Sequence, residues 1–417
     1  MLLQRTAALA LGLTVGTPMA AIAQDAPLTV AMHYTQEQAA PLLACLDAYD
    51  ADGVTATYQQ ISYRDYLQTV LTGRLGGQSP DIYNVYSIWA AQMVDNGVLD
   101  TPPDAVSEFV SETYSAGTVD AVTIDGTAWG VPTEISAYML VSNMALLRAA
   151  GFDAPPATWD DLREVAEAVT TRNDQGRIET AGFAFADSSS GAGFVHPFYA
   201  LLYSEGARPY ADDFSEANLD TPEAETALDE MAGLVRDGIT DLSVDAYDFP
   251  AGGIGMMIMA NWLESEIRAG FGDSFEDDVV VSQIPAGEDW RTLQYAFFMG
   301  VDSASDRKEE AWELVRYLNA PRDGGPSCMG EMLAGLGALT ANAADNAAMD
   351  APDAFTAPYL AALEDDRAIS QPNVRQAAEI EGMMAQTFER ALAGDAEPGP
   401  ALETLDGEVE DILFEFY

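Results

Sequence analysis

The apolar positions of the chain switch repeatedly between a period of two and a period near 3.6. Residues 28–32 alternate, which predicts a strand, and a helix-like apolar run follows at 42–49. Further strands are predicted at 54–58 and 82–85, with a helix between them that begins at the capping residue Ser62. Strands that alternate with helices predict an α/β fold whose sheet is largely parallel and covered by helices.

The same alternation continues to the end of the chain, with no internal repeat and no low-complexity linker. A chain of two-domain length without a linker is expected to have domains joined by several crossings. The predicted later elements are a helix capped by Thr158, a strand over 279–284, a helix capped by Ser305, and amphipathic helices over 377–392 and 402–414.

The first 23 residues have the three parts of a secretory signal peptide. Arg5 is a positive n-region, residues 7–15 are a short apolar core, and Ala21-Ile22-Ala23 is a small-x-small cleavage site. Gln24 follows the cut instead of a cysteine, which disfavours a lipid-anchored form. No later stretch reaches the ~18 apolar residues of a transmembrane helix. The sequence therefore predicts a mature protein that is soluble and exported to the periplasm.

The charge balance is strongly acidic and narrows the classes of partner. The chain has 68 acidic and 18 basic residues, for a net charge of −50. A field of that sign repels phosphate backbones and anionic lipid, so nucleic-acid and membrane-surface partners are disfavoured. The acids are spread along the chain, which favours a solvated surface adapted to salt over an acidic site for a cationic ligand.

Two cysteines, Cys45 and Cys328, lie far apart in the sequence. In an oxidising compartment an even pair favours a disulfide. Two separate buried thiols are the alternative, since sequence alone does not show that the two Cα atoms approach closely enough. Both possibilities stay open at this point.

Motifs for catalysis are absent from the sequence. There is no G-x-S-x-G, H-E-x-x-H, P-loop or C-x-x-C pattern. The only histidines are His33 and His196, which makes a histidine-rich metal site improbable. Paired carboxylates of a glycosidase cannot be recognised by counting in so acidic a chain. We expect no enzyme activity, no cofactor and no bound metal.

Several short motifs occur together in an order typical of one family. The chain resembles the bacterial extracellular solute-binding proteins of family 1 over nearly its whole mature length. The motifs are Ser79-Pro80-Asp81-Ile82, Asn96-Gly97-Val98-Leu99, DGTAWGVP at 125–132, LLRAAGF at 146–152, PPATWDDL at 155–162, Gly255-Met256-Met257 up to Asn261-Trp262, and the segment from Ala311 to Leu318.

The resemblance implies a type II periplasmic-binding fold with two α/β lobes and a ligand cleft between them. Lobe 1 would contain residues 24–131 and 286–337, and lobe 2 residues 132–285 and 338–417. Such a protein captures a small carbohydrate by lobe closure and delivers it to the permease of an ABC importer, and we expect it to act as a monomer. Alternatives are a non-sugar cargo, a secreted glycan-active enzyme, and a sensor subunit that docks on a receptor.

The family's binding segments indicate which residues line the cleft. Flat aromatic rings with polar side chains between them suit the apolar faces and hydroxyl groups of sugars. Trp89 and Trp262 have an alternative interpretation as core residues, and the two histidines as structural hydrogen-bonding groups. The predicted ligand-binding residues are His33, Tyr34, Gln36, Tyr63, Tyr86, Trp89, Glu134, Ser136, Phe194, His196, Trp262, Tyr295 and Arg375.

Overall fold

The computed structural model describes residues 26–49, 51, 53–186, 193–322, 324–348, 353–365 and 367–417. The predicted signal peptide, residues 1–23, lies outside the described residues. The strands are β1 (Leu28–Met32), β2 (Ala56–Gln60), β3 (Ile82–Tyr86), β4 (Thr123–Ile124), β5 (Thr127–Ala128), β6 (Val131–Asn143), β7 (Thr171–Arg172), β8 (Ile178–Phe183), β9 (Ile254–Ala260), β10 (Val279–Ser282), β11 (Thr292–Val301), β12 (Leu339–Thr340) and β13 (Ala368–Ser370).

Helices alternate with these strands and confirm the predicted α/β class. The helices are α1 (Ala40–Ala48), α2 (Tyr66–Leu75), α3 (Ser87–Asp95), α4 (Asp104–Thr113), α5 (Ala116–Asp120), α6 (Met144–Ala149), α7 (Trp159–Val169), α8 (Val195–Ser204), α9 (Pro222–Arg236), α10 (Glu264–Phe271), α11 (Phe275–Asp278), α12 (Lys308–Asn319), α13 (Cys328–Leu336), α14 (Ala343–Ala348), α15 (Ala357–Glu364), α16 (Ala377–Leu392) and α17 (Pro398–Phe416).

The main sheet is mixed, so the prediction of a largely parallel sheet was only partly right. Its strand order is β2-β1-β3-β11-β6-β9-β8-β7. The pairs β2-β1 and β1-β3 at one end and β9-β8 near the other are parallel, and the last pair, β8-β7, is antiparallel. The central pairs β3-β11, β11-β6 and β6-β9 are antiparallel. Strands that are joined by a long helical connection are expected to be parallel, and such connections are visible in the sequence. Antiparallel pairing with a strand that is distant in the sequence leaves no periodic signal.

Strand β6 connects the two halves of the sheet. Its 13 residues are all buried. Up to Ala137 it pairs with β11, and from Tyr138 onward it pairs with β9. Gly130, just before β6, has to be glycine, since a Cβ there would lie 2.3 Å from the carbonyl oxygen of Met299. The division of the chain into lobes at the boundaries given above stays a prediction.

Two predicted helix caps were wrong. Ser62 makes no capping hydrogen bond, because a 3-10 turn, Tyr63–Asp65, comes between it and α2. Ser305 lies before α12, where its hydroxyl donates to Asp81 at 2.6 Å and accepts from the backbone of Arg307. Thr158 does cap α7 as predicted, accepting from the backbone N–H of Asp161 at 3.2 Å. The predicted terminal helix begins earlier, at Pro398.

Cys45 and Cys328 form a disulfide, which settles the alternatives that the sequence left open. Cys45 lies on α1 and Cys328 begins α13, with Cα atoms 6.2 Å apart across 283 residues of sequence. The two helices pack against each other. The bond therefore fixes a contact between the beginning and the last third of the chain.

Candidate functional site

A cavity of about 420 Å³ lies at the ends of several strands. This volume is within the range of ~300–1,000 Å³ that is typical of small-molecule sites. Segments that follow β1, β2 and β9 contribute to it, together with β3, β6, β11, α8 and α10. The residues that line it are His33, Tyr34, Gln38, Tyr63, Arg64, Tyr86, Glu134, Tyr138, His196, Asp245, Tyr247, Trp262, Ser265, Glu266, Tyr295, Phe297, Leu336 and Ala338.

Two paired strands form the floor of the cavity. Side chains two residues apart on a strand lie on the same face, which places Glu134, Ser136 and Tyr138 of β6 together. Tyr295 of β11 pairs with Ser136 across the two strands. The register of β11 against β6 shifts between Ala296 and Phe298. An irregularity of this kind changes the direction in which a side chain points.

Stacked aromatic rings make up one wall of the cavity. The ring centroid of Phe297 lies 4.9 Å from that of Tyr86 and 4.8 Å from that of His33, and its plane is close to parallel with both rings. The ring centroid of Tyr34 lies 4.0 Å from that of His33, and the ring centroid of Tyr63 lies 5.7 Å from it. Such packing holds each ring in place and leaves a flat apolar surface toward the cavity.

A second pair of rings comes from a different part of the sheet. Trp262 follows β9, and its ring centroid lies 6.0 Å from that of Tyr247. Trp262 is half-buried and Tyr247 is 36% exposed. Both rings therefore have surface available for contact with a bound molecule.

Glu134 is a buried carboxylate on the cavity floor with two hydrogen-bond donors. The hydroxyl of Tyr34 donates to Oε2 and that of Ser136 donates to Oε1, the latter at 3.0 Å. Burial raises the pKa of Glu134, and the two donated hydrogen bonds act in the opposite direction. A carboxylate has about four acceptor positions, so two are still available for donors of a ligand.

Comparison with known proteins identifies the family. The family model for bacterial extracellular solute-binding proteins matches residues 34–324. The chain belongs to this family. The solute-binding protein is 25% identical over 282 residues to a protein of Brucella abortus (strain 2308) that is named as a binding protein. The alignment covers 65% of this chain and 66% of that protein, which is just under two thirds of its length.

Solved structures confirm the type II periplasmic-binding fold of the solute-binding protein. An ABC transporter solute-binding protein from Thermotoga lettingae, bound with α-D-tagatose, superposes with a TM-score of 0.80 at 19% identity, over 93% of this chain and 99% of that chain. The cyclic α-maltosyl-1,6-maltose binding protein from Arthrobacter globiformis superposes with a TM-score of 0.76 at 22% identity, over 94% and 99%.

Eight of the thirteen predicted ligand-binding residues of the solute-binding protein line the cavity. Their part in binding stays a prediction. Trp262 is among them, at the surface of the cavity instead of in the core. The eight are His33, Tyr34, Tyr63, Tyr86, Glu134, His196, Trp262 and Tyr295.

The structure places the other five predicted residues outside the cavity lining. Gln36 is exposed, and Gln38 lines the cavity instead. Trp89 is buried behind Tyr63 and stacks on Tyr66, at 5.0 Å. Ser136 is fully buried, and its hydroxyl donates to Glu134. Phe194 is buried against Phe185, at 5.7 Å.

Arg375 is the fifth of these residues, and its side chain is engaged elsewhere. It forms ion pairs with Asp95 at 2.9 Å and Asp125 at 3.2 Å. Its guanidinium also donates to the backbone oxygen of Phe416 at 2.7 Å. Arg375 therefore anchors the end of α17 and does not present a positive charge to the cavity.

Sequence reasoning missed several lining residues of the solute-binding protein. Tyr138 lies four residues beyond Glu134 on β6, and Phe297 lies two residues beyond Tyr295 on β11. The period-two alternation of side chains along these strands could therefore have found both. Arg64, Asp245, Tyr247 and Glu266 lie in turns or on helix faces. Only the packing of distant segments brings these four to the cavity.

The solute-binding protein keeps His33 uncharged. The ring packs against those of Tyr34 and Phe297, and burial lowers the pKa of His33 to about 3. At neutral pH the ring therefore offers one donor and one acceptor nitrogen. Nδ1 lies 3.4 Å from the side-chain amide nitrogen of Asn84, which is fully buried.

Two features are absent from the described residues of the solute-binding protein. Within the part of the chain that the structure describes, no cluster of three or more His, Cys, Asp or Glu side chains is arranged to hold a metal ion. No helix among the described residues combines the length and the apolar character needed to cross a membrane.

Proposed function

We propose that the chain is the periplasmic substrate-binding component of an ABC importer and that it captures a small carbohydrate reversibly. The observation that supports this most is the cavity itself, in which stacked aromatic rings alternate with hydrogen-bonding side chains. Sugars present apolar C–H faces and a rim of hydroxyl groups, and this arrangement of rings and polar groups matches both.

Lobe closure would remove the ligand from water. The lobes proposed from the sequence, 24–131 with 286–337 and 132–285 with 338–417, contribute different walls, since Tyr86 and Trp262 belong to different lobes. A ligand favours the closed state only through contacts that it makes better there. Trp262 and Tyr247 would provide such contacts on one side and the stack around Phe297 on the other.

The structural neighbours support a carbohydrate cargo and a transport role. The Thermotoga protein is an ABC transporter solute-binding protein that holds a tagatose, and the Arthrobacter protein binds a cyclic maltosyl-maltose. By this proposal the chain is secreted to the periplasm, acts as a monomer, breaks no bond in its ligand, and releases it to membrane-embedded permease subunits.

The proposal is tested by a thermal-shift screen of the mature protein in salt against sugars, polyols, amino acids and polyamines. A ligand that binds only the folded state stabilises it by ~2.7 kcal/mol at a hundredfold excess over its Kd, which raises Tm by a few degrees. We expect one carbohydrate class to raise Tm, with no product formed on incubation. Product formation would move the function to a glycan-active enzyme.

A matched pair of tryptophan variants shows whether the shift comes from this cavity. Trp262→Ala removes a ring that lines the cavity, whereas Trp290→Ala removes another half-buried ring, packed near Arg367 outside it. The sugar-dependent shift should be lost in Trp262→Ala and kept in Trp290→Ala. Equal shifts in both variants would place the sugar elsewhere.

A solute that carries an amine is the second candidate, favoured by the acids at the cavity. Among the described lining residues, the acids Glu134, Asp245 and Glu266 occur with one arginine, Arg64. Aromatic faces also attract cations. Tm shifts with polyamines or amino sugars only would support this cargo and overturn the assignment to a neutral sugar.

A further inference from the structure

A buried chain of polar side chains lies directly behind the cavity. It runs from Tyr86 through Gln371, Glu381 and His196 to Tyr138, and these residues are between 1% and 8% exposed. They come from β3, the segment after β13, α16, α8 and β6. Tyr86, His196 and Tyr138 also line the cavity, whereas Gln371 and Glu381 do not. This chain of hydrogen bonds therefore joins two walls of the cavity through Gln371 and Glu381, which no ligand would touch.

Glu381 determines the orientation of the Gln371 amide. The amide nitrogen of Gln371 donates to Oε1 of Glu381. A carboxylate oxygen accepts hydrogen bonds, so the NH₂ group has to face Glu381 and the amide oxygen has to face away. The hydroxyl of Tyr86 donates to that oxygen at 2.8 Å, which agrees with this orientation.

The oriented amide in turn selects the tautomer of His196. The same amide nitrogen lies 3.3 Å from Nε2 of His196, and its second hydrogen is available for donation. Nε2 has to accept this hydrogen, which requires that the imidazole proton sits on Nδ1. Nδ1 lies 2.7 Å from the hydroxyl oxygen of Tyr138 and donates to it.

The hydroxyl of Tyr138 then has its own hydrogen to donate. Its oxygen accepts from His196, and no second partner for that oxygen is found among the described residues. Tyr138 is 1% exposed and faces the cavity. A buried donor without an acceptor costs free energy, so the site favours a molecule that brings an acceptor atom to this position.

We propose that Gln371 and Glu381 are positioning residues that hold His196 in its Nδ1–H tautomer and thereby commit the Tyr138 hydroxyl to donate into the cavity. The ligand half of this inference rests on the proposed function. Glu134, four residues away on the same strand and about 13 Å along it, accepts hydrogen bonds, so the floor has an acceptor end and a donor end. A carbohydrate would meet Tyr138 with a ring or glycosidic oxygen and Glu134 with hydroxyl groups.

The tautomer can be measured without any ligand. The chain has only two histidines, so a two-bond ¹H–¹⁵N correlation spectrum of the full mature protein contains two imidazole patterns. The His33→Gln variant identifies which pattern belongs to His196. We expect the Nδ1–H tautomer of His196 to exceed the Nε2–H tautomer at least about tenfold. A dominant Nε2–H tautomer overturns the inference, whatever the protein binds.

Two glutamate variants test whether the second layer sets the tautomer. In Glu381→Gln the amide of Gln371 is no longer held by an obligate acceptor and can turn its oxygen toward His196, so we expect the Nε2–H tautomer to become comparably populated. Glu379→Gln removes the same charge from an exposed position of α16 and should leave the spectrum unchanged. An unchanged tautomer in Glu381→Gln would contradict the positioning role, and the wild-type spectrum remains decisive even where that variant does not fold.

The ligand half is tested with the sugar that stabilises the protein most in the thermal-shift panel. Tyr138→Phe should weaken its binding about tenfold, because it removes one donated hydrogen bond and little volume. Tyr199→Phe is the matched control, since that hydroxyl donates to a methionine sulfur inside the core at 3.3 Å and does not face the cavity. Equal Kd values for the wild type and Tyr138→Phe would overturn the ligand half. A silent panel would contradict the proposed function and leave the result of the spectrum intact.

Discussion

At the scale of the residue, the surroundings of a buried carboxyl group modify the effect of burial on its pKa. Glu134 is buried among hydrogen-bond donors, which partly offset the effect of burial on its pKa. Glu230, on α9, lies in a setting that adds to that effect. The pKa of Glu230 is raised to about 7, mainly by burial and also by the negative charges of Glu205 and Asp160, with Arg163 opposing them.

The raised pKa of Glu230 predicts a pH-dependent cost to folding. Between its ordinary pKa of 4.5 and about 7, the folded state binds a proton that the unfolded state has released, so the free energy of unfolding falls as pH rises through this window. Glu230→Gln should therefore stabilise the protein by about 1–2 kcal/mol at pH 8, after allowance for partial exposure, and by little at pH 4.

Denaturant-induced unfolding of the wild type and of Glu230→Gln, measured between pH 4 and pH 8, checks the prediction. The control is Glu167→Gln, which removes an equal charge from an exposed position of α7. A gain in stability for Glu230→Gln that is the same at pH 4 and pH 8 would mean that general charge repulsion, and not the titration of Glu230, is responsible.

At the scale of the element, two connections hold distant parts of the chain together. β6 pairs with β11 in its first half and with β9 and β10 in its second half, so one strand carries the floor of the cavity across the sheet. The disulfide joins α1 to α13 across 283 residues. α13 ends at Leu336, which lines the cavity, so the crosslinked helix pair also supports the site.

Loss of the disulfide should destabilise the protein by about 2–4 kcal/mol. The double variant Cys45→Ser/Cys328→Ser removes the crosslink without leaving a reactive thiol, and its melting temperature should fall by several degrees. Reductant should lower the melting temperature of the wild type toward that of the variant and leave the variant unchanged. Identical melting of the two proteins under oxidising conditions would contradict a stabilising crosslink.

At the scale of the whole molecule, charge is the dominant feature. The net charge of −50 is spread over the surface, and carboxylates far outnumber the cations that could pair with them. Self-repulsion of this size acts against the compact state. Salt shortens the distance over which these charges interact, from about 30 Å at 0.01 M to about 3 Å at 1 M.

We therefore expect the melting temperature to rise between dilute buffer and 1 M NaCl. The measurement is a thermal melt of the mature protein at several NaCl concentrations, with sucrose as the control for a general effect of cosolutes on burial. The increase should be steepest at low salt, where screening changes most. A melting temperature that is constant over this range would contradict a destabilising self-repulsion.

The sequence by itself determined the α/β class, most element positions and the family. α7 and α16 lie where the 3.6-residue period placed them, and the ordered motifs from Ser79 to Leu318 carried the family. Eight of the predicted site residues line the cavity. His33, Tyr34 and Trp262 follow strand ends, which meet at one edge of a sheet, whereas Glu134 and Tyr295 lie on two paired strands. Periodicity and motif order are local properties, and the chain records them directly.

Only the tertiary structure decided the antiparallel centre of the sheet, the disulfide and the positions of the remaining site residues. Arg375 has the charge that a cleft residue needs, but Asp95 and Asp125 hold it at α17. Tyr247 reaches the cavity from a turn with no motif, and Gln371 acts behind it from a segment 175 residues beyond His196. Such contacts depend on which distant segments pack together, and no spacing along the chain encodes them.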